Sequence, residues 1–217
     1  DWVTNNPGVV GADLNIEPAW DHITDCRAVV VVAVVDSGVN YLHQDLAGNM
    51  WDGGMTYPNH GYDFVTNDND PLPADASGHG THVAATIAAS GNNGIAGSGV
   101  CWQARIMVVR VLSATGGTSA TVTAGVNFAV TQGARVINMS LGGSGFDQAF
   151  SDSIMTARNA GVVVVAAGNS SANNDTTATY PCNFTQDNLV CVAALDQAFN
   201  LAGFSNYGLT TVDVGAP

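Results

Sequence analysis

The run Ala28-Val29-Val30-Val31-Val32-Ala33-Val34-Val35 constrains this chain more than any other stretch of it. β-Branched side chains favour extended backbone. The run lacks the in/out alternation of a strand with one wet face. It therefore predicts a central strand in a sheet covered on both sides, as parallel strands are. This run and the similar Val162–Ala167 are far too short to cross a bilayer, which takes about 20 apolar residues. The first run leads directly into Asp36-Ser37-Gly38. An aspartate in that place is expensive to bury unless it is paired or hydrogen-bonded.

The rest of the chain repeats the theme. From Tyr41 to Asp75 it is rich in Asn, Asp, Gly and Pro, which predicts long loops with little regular structure. His79–Ser90 is small and apolar and reads as a buried helix, and Arg105–Leu112 as a strand. Thr118–Gln132 is a helix stopped by Gly133, and Arg135–Met139 a strand leading into Ser140-Leu141-Gly142-Gly143. Asp147–Asn159 places Ala149, Phe150, Ile154 and Ala157 on one helical face, and Val162–Ala167 and Leu189–Ala194 are further strands. Strands alternating with helices predict βαβ units and a parallel sheet covered by helices on both faces, an α/β fold in one domain spanning 1–217.

Composition sets the outer limits. A chain of 217 residues can bury about 70% of its unfolded surface. With 46% hydrophobic and 11% charged residues it is not a disordered tail. Five basic residues against 18 acidic ones leave a net charge of −13, with no lysine and Glu17 as the sole glutamate. That balance argues against nucleic acid, whose phosphates need basic patches, and against anionic membranes. It suits solubility, salt tolerance and oxygen-ligand cation sites. The start Asp1-Trp2-Val3-Thr4 has neither a basic lead nor an apolar stretch, so it reads as a mature or trimmed chain.

The cysteines are Cys26, Cys101, Cys182 and Cys191, which allow three pairings. None forms a Cys-x-x-Cys pair, which disfavours structural zinc. Cys182 and Cys191 flank a short polar loop that a disulfide would close. Two disulfides in an exported protein and four buried thiols both remain open at this point.

Ligands of open parallel sheets bind beyond the carboxyl ends of the strands. Asp36, Ser140 and Asn169 all follow predicted strands, and His79 opens a predicted helix. A carboxylate that accepts an imidazole N–H fixes its tautomer and stabilises the imidazolium. Here the sequence resembles the subtilisin-like serine proteases. The matching stretches are VAVVDSGV around Asp36, GHGTHVAAT around His79, NMSLGG at 138–143 and VVVVAAGN ending at Asn169. Lesser matches are HQDL at 43–46, NNGIAGSGV at 92–100 and the closing FSNYG and VDVGAP, so the likeness runs from about Asn15 to Pro217. Two departures stand out: Ala85 replaces a common glycine, and the interval between Asp36 and His79 holds a polar insertion.

The resemblance implies a subtilisin-like three-layer fold, incomplete at its C-terminus, in a secreted endopeptidase acting on extended peptides. Asp36 becomes the carboxylate that orients the general base His79, and Asn169 the oxyanion donor. His82 is a helix residue, since His-x-x-His lacks the glutamate and the third ligand of a metal motif. Ser140-Leu141-Gly142 and the stretch at Gly116-Gly117 are the edges between which a peptide would lie. Calcium is the implied cofactor, held by Asp45, Asn93 and carbonyls of Ile95 and Gly97. Asp68, Asp70 and Asp75 form a second acidic cluster, with a solvated loop as the plainer explanation. The family fold also implies the pairs Cys26–Cys101 and Cys182–Cys191.

One element of the family pattern is missing. The nucleophilic serine lies in a Gly-Thr-Ser-Met-Ala segment, which residues 1–217 do not contain. Ser37, Ser140 and Ser205 belong to other motifs. The expectation is an N-terminal part of such a protease, its serine on a separate C-terminal chain or lost. The competing readings are a non-catalytic peptide-binding module of the same fold and a metal-dependent hydrolase.

Overall fold

A computed structural model describes residues 9–24, 26, 30–73 and 78–217. Seven strands are hydrogen-bonded side by side: β1 (Val31–Asp36), β2 (Gly61–Asp63), β3 (Arg105–Arg110), β4 (Val136–Met139), β5 (Val162–Ala166), β6 (Leu189–Ala194) and β7 (Val214–Ala216). Their order is β2-β3-β1-β4-β5-β6-β7, and every pairing is parallel. The valine run lies third from one edge, between β3 and β4, as its lack of alternation requires. Its first residues, 28–29, lie outside the described ones.

Among the described residues four α-helices accompany the sheet: α1 (Glu17–Trp20), α2 (His79–Ala88), α3 (Ser119–Thr131) and α4 (Gln148–Ala157). The two faces of the sheet are covered by different helices. Val32, Val34, Ile106 and Val108 pack with Ala84 and Ala88 of α2. Ala33, Val35, Met107 and Val109 pack with Val122 and Val126 of α3 and Phe150 and Ile154 of α4. Alternate residues of one strand thus feed two separate cores, and both need to be apolar.

The helix starts follow their sequences. Thr118 caps α3, its hydroxyl accepting from Thr121 N–H, and the Thr121 hydroxyl accepts in return from Thr118 N–H. Asp147 caps α4 by accepting from Phe150 N–H. Both disulfides implied by the family likeness are formed, Cys26–Cys101 and Cys182–Cys191.

Two strands depart from the sequence expectation. β2 lies within the stretch read as loop, and β7 within the closing motif. β2 has only three residues, too few for a period to be seen, and begins at Gly61. A Cβ on Gly61 would stand 1.7 Å from the Val108 carbonyl oxygen. The glycine that reads as a strand breaker is what lets this short edge strand approach β3.

Candidate active site

Asp36 is the last residue of β1 and is fully buried. Its Oδ1 accepts from the Ser37 N–H at 2.7 Å and lies 2.7 Å from Nδ1 of His79. A carboxylate here holds the hydrogen of the neutral ring on Nδ1 and leaves Nε2 as its basic nitrogen. The His79 side chain is 51% exposed, so the ring is gripped on one side and reachable from the other. Gly78 turns into α2 at φ +61°, which places His79 first in the helix. Asp36 Oδ2 has no hydrogen-bond partner among the described residues. Beside Asp36 in register stands Arg110, buried and paired with the buried Asp63 at the end of β2. The ends of β1, β3 and β2 therefore carry a row of alternating charge.

His79 lines one part of a cleft of about 720 Å³. Gly116, Gly117 and Thr118 line it together with Ser140, Leu141 and Gly142. Both segments expected to form the peptide edges thus line the same cleft as His79. Apolar lining comes from Leu112, Val122, Leu141, Phe146, Phe150 and Tyr180. The Ser119 hydroxyl donates to Asp147 Oδ2 at 2.7 Å and ties the starts of α3 and α4 together. That bond, followed by the Phe150 N–H, lowers the Asp147 carboxyl below its usual range.

Asn169 follows β5, exposed, and is not part of the cleft lining. Since β1, β4 and β5 are consecutive in the sheet, Asp36, Ser140 and Asn169 lie at or just beyond three neighbouring carboxyl ends. His82 is exposed on α2.

The residues expected to hold calcium lie near one another. Asp45 is 1% exposed, and its Oδ1 accepts from Asn93 Nδ2 at 2.6 Å. The Gly97 N–H approaches its Oδ2 at 3.4 Å, and the Ile95 N–H donates to Asn93 Oδ1 at 3.0 Å. Among the described residues no cationic side chain pairs with Asp45. No cluster of three or more His, Cys, Asp or Glu suited to a metal occurs among them either. In the second acidic stretch, Asp68 Oδ1 accepts from the Asp70 N–H, and Asp70 Oδ1 from the Tyr41 hydroxyl. Asp75 lies outside the described residues.

Reasoning from sequence missed Arg110 and a pair of buried asparagines, Asn174 and Asn206, next to the Asn169 loop. The only signal for the latter was that Asn206 falls in the FSNYG motif.

The model of the subtilase family matches residues 27–217. The chain is 41% identical over 201 residues to a thermophilic serine proteinase of Bacillus sp. (strain AK1), covering 92% of this chain and 46% of that protein. It is 40% identical to thermitase of Thermoactinomyces vulgaris, covering 92% of this chain and 66% of thermitase. Among solved structures, a protease of Pseudoalteromonas arctica superposes with a TM-score of 0.81 at 35% identity, covering 94% of this chain and 66% of that one. The chain thus spans between about half and two thirds of the length of these relatives.

Proposed function

This chain belongs to the subtilase family, and from that premise we propose that it carries the Asp-His and oxyanion parts of a secreted, calcium-stabilised serine endopeptidase. The observation that carries the proposal is the 2.7 Å contact between buried Asp36 and half-exposed His79 beside a peptide-sized cleft. In this scheme Asp36 holds His79 in one tautomer and orientation. His79 Nε2 takes the proton of a serine hydroxyl as its oxygen attacks the scissile carbonyl, then passes that proton to the leaving amine. The negative charge formed on the carbonyl oxygen is met by the Asn169 side-chain amide. The peptide lies extended between Gly116-Gly117 and Ser140-Leu141-Gly142, bound chiefly through its backbone.

The serine belongs to sequence outside residues 1–217, which hold no Gly-Thr-Ser-Met-Ala segment. Nothing in the comparisons favours a separate chain over a continuous one. Asp45, Asn93 and the carbonyls of Ile95 and Gly97 would hold calcium. The supporting observation is a buried carboxylate without a cationic partner among the described residues, in contact with the Asn93 amide and the 93–97 loop. Calcium there would tie the 93–97 loop to Asp45, a stabilising role remote from proton transfer. Two disulfides support an exported protein.

The test uses the serine-bearing protease. Asp36→Asn should keep the fold and lower turnover by roughly 10⁴, the scale known for this change in a related triad. A fluorophosphonate should label a serine outside residues 1–217. Unchanged turnover, or labelling of a serine within this chain, would overturn the scheme. Peptide binding without any cleavage would instead support the non-catalytic module.

A further inference from the structure

The loop carrying Asn169 is exposed, yet a donor to a developing oxyanion has to be held still. Mobile donors lose most of their advantage, because preorganisation is what makes them effective. The structure contains a device for that purpose on both sides of Asn169. Asn206 is 1% exposed, and its own N–H donates to the Gly168 carbonyl at 2.8 Å. Its side-chain Oδ1 accepts from the Ser170 N–H at 2.8 Å and from the Ala172 N–H at 3.1 Å. One buried residue therefore holds the backbone just before Asn169 through its main chain and just after it through its side chain.

The amide's other end is also engaged. Asn206 Nδ2 donates to Asn174 Oδ1 at 3.0 Å and approaches Thr179 Oγ1 at 3.3 Å. Asn174, itself 1% exposed, donates from Nδ2 to the Ala167 carbonyl at 2.9 Å. With Oδ1 accepting two backbone N–H groups and Nδ2 facing two oxygens, the orientation of the Asn206 amide is determined. Gly168 completes the fit. It sits at φ +119°, and a Cβ there would stand 2.5 Å from Asn206 Nδ2.

We propose that Asn206 is a positioning residue that sets the Asn169 side chain for oxyanion binding. The proposal rests on the reading of Asn169 as the oxyanion donor. Removing the Asn206 side chain frees the N–H groups of Ser170 and Ala172, and the Asn169 loop then samples other orientations. Misplacing a reacting group by about 1 Å costs on the order of 10² in rate, whereas ground-state peptide binding at the two glycine-bearing edges is untouched.

The experiment measures kinetics in the serine-bearing protease for Asn206→Ala, Asn206→Ser, Asn169→Ala and the double variant Asn169→Ala/Asn206→Ala. Either Asn206 variant should lower kcat by roughly tenfold to a hundredfold with KM nearly unchanged. The double variant should be no slower than Asn169→Ala alone, because the second change has nothing left to misplace. If the two losses multiply, or the Asn206 variants lower only the melting temperature, Asn206 is a structural residue and the proposal is overturned. If Asn169→Ala itself leaves kcat unchanged, the oxyanion reading fails instead. A measurement on the unaltered protein covers the case in which Asn206 variants do not fold. The Ser170 and Ala172 amides should exchange hydrogen as slowly as strand amides, although Ser170 is exposed. Rapid exchange at both would mean that Asn206 does not hold the loop.

Discussion

Gly80 stands so close to Asp36 that a Cβ added to it would lie 3.2 Å from both the Cβ and Oδ1 of the aspartate, and 2.3 Å from the Gly38 carbonyl oxygen. This contact draws the first turn of α2 against the end of β1 and makes the Asp36–His79 hydrogen bond possible. In an open helix, Gly→Ala would stabilise by about 1 kcal/mol. Here the obstacle is backbone and cannot rotate away, so overpacking, worth about 1–3 kcal/mol, should win. Gly80→Ala should therefore melt a few degrees lower and lose activity as His79 is pushed off Asp36. Calorimetry and turnover check this, and a higher melting temperature with full activity would contradict it.

The calcium reading makes a prediction that does not depend on activity. Chelator should lower the thermal midpoint of the protein, and added Ca²⁺ should restore it by mass action. Asp45→Asn should lower the midpoint in calcium and make it insensitive to chelator. Identical melting curves for the unaltered protein with and without chelator would remove calcium from the account.

The disulfides close loops of very different length, with sequence separations of 75 for Cys26–Cys101 and 9 for Cys182–Cys191. If they act through the entropy of the unfolded chain, they stabilise by roughly 4.5 and 2.6 kcal/mol respectively. Double serine variants of each pair, unfolded in denaturant, should show the larger loss for the longer loop. The reverse order would mean that native-state packing around Cys182, which is 2% exposed, outweighs chain entropy.

Tyr41 gives a pH signature. Burial, then its hydrogen bond to Asp70 and that carboxylate's charge, push the hydroxyl up to about 12 from its ordinary 10.0. The folded state therefore favours the neutral phenol. Its contribution is complete below about pH 10 and is lost as the pH rises through about 12. The denaturant midpoint should fall across that window, and Tyr41→Phe should flatten this part of the profile. An unchanged alkaline slope in Tyr41→Phe would mean that other groups set it.

Most of the fold is legible in the sequence, because the valine runs bury both faces and need no partner to be recognised. β6 falls on the predicted residues, Leu189–Ala194. The helices start where Thr118 and Asp147 provide caps. β2 and β7 were not legible. Each has three residues and exists only because a neighbouring strand supplies its hydrogen bonds. At the site, Asp36, His79 and the glycine edges stand out through motif and position. Asn206 and Arg110 do not, because their importance lies in what they touch across gaps in the sequence that no local pattern records.

The two faces of the sheet carry different responsibilities. His79 comes from α2 on one face, while the walls of the cleft come from the starts of α3 and α4 on the other, and only the carboxyl edge of the strands joins them. A change at exposed Phe146 would reshape the cleft without entering the core in which α2 packs against β1 and β3.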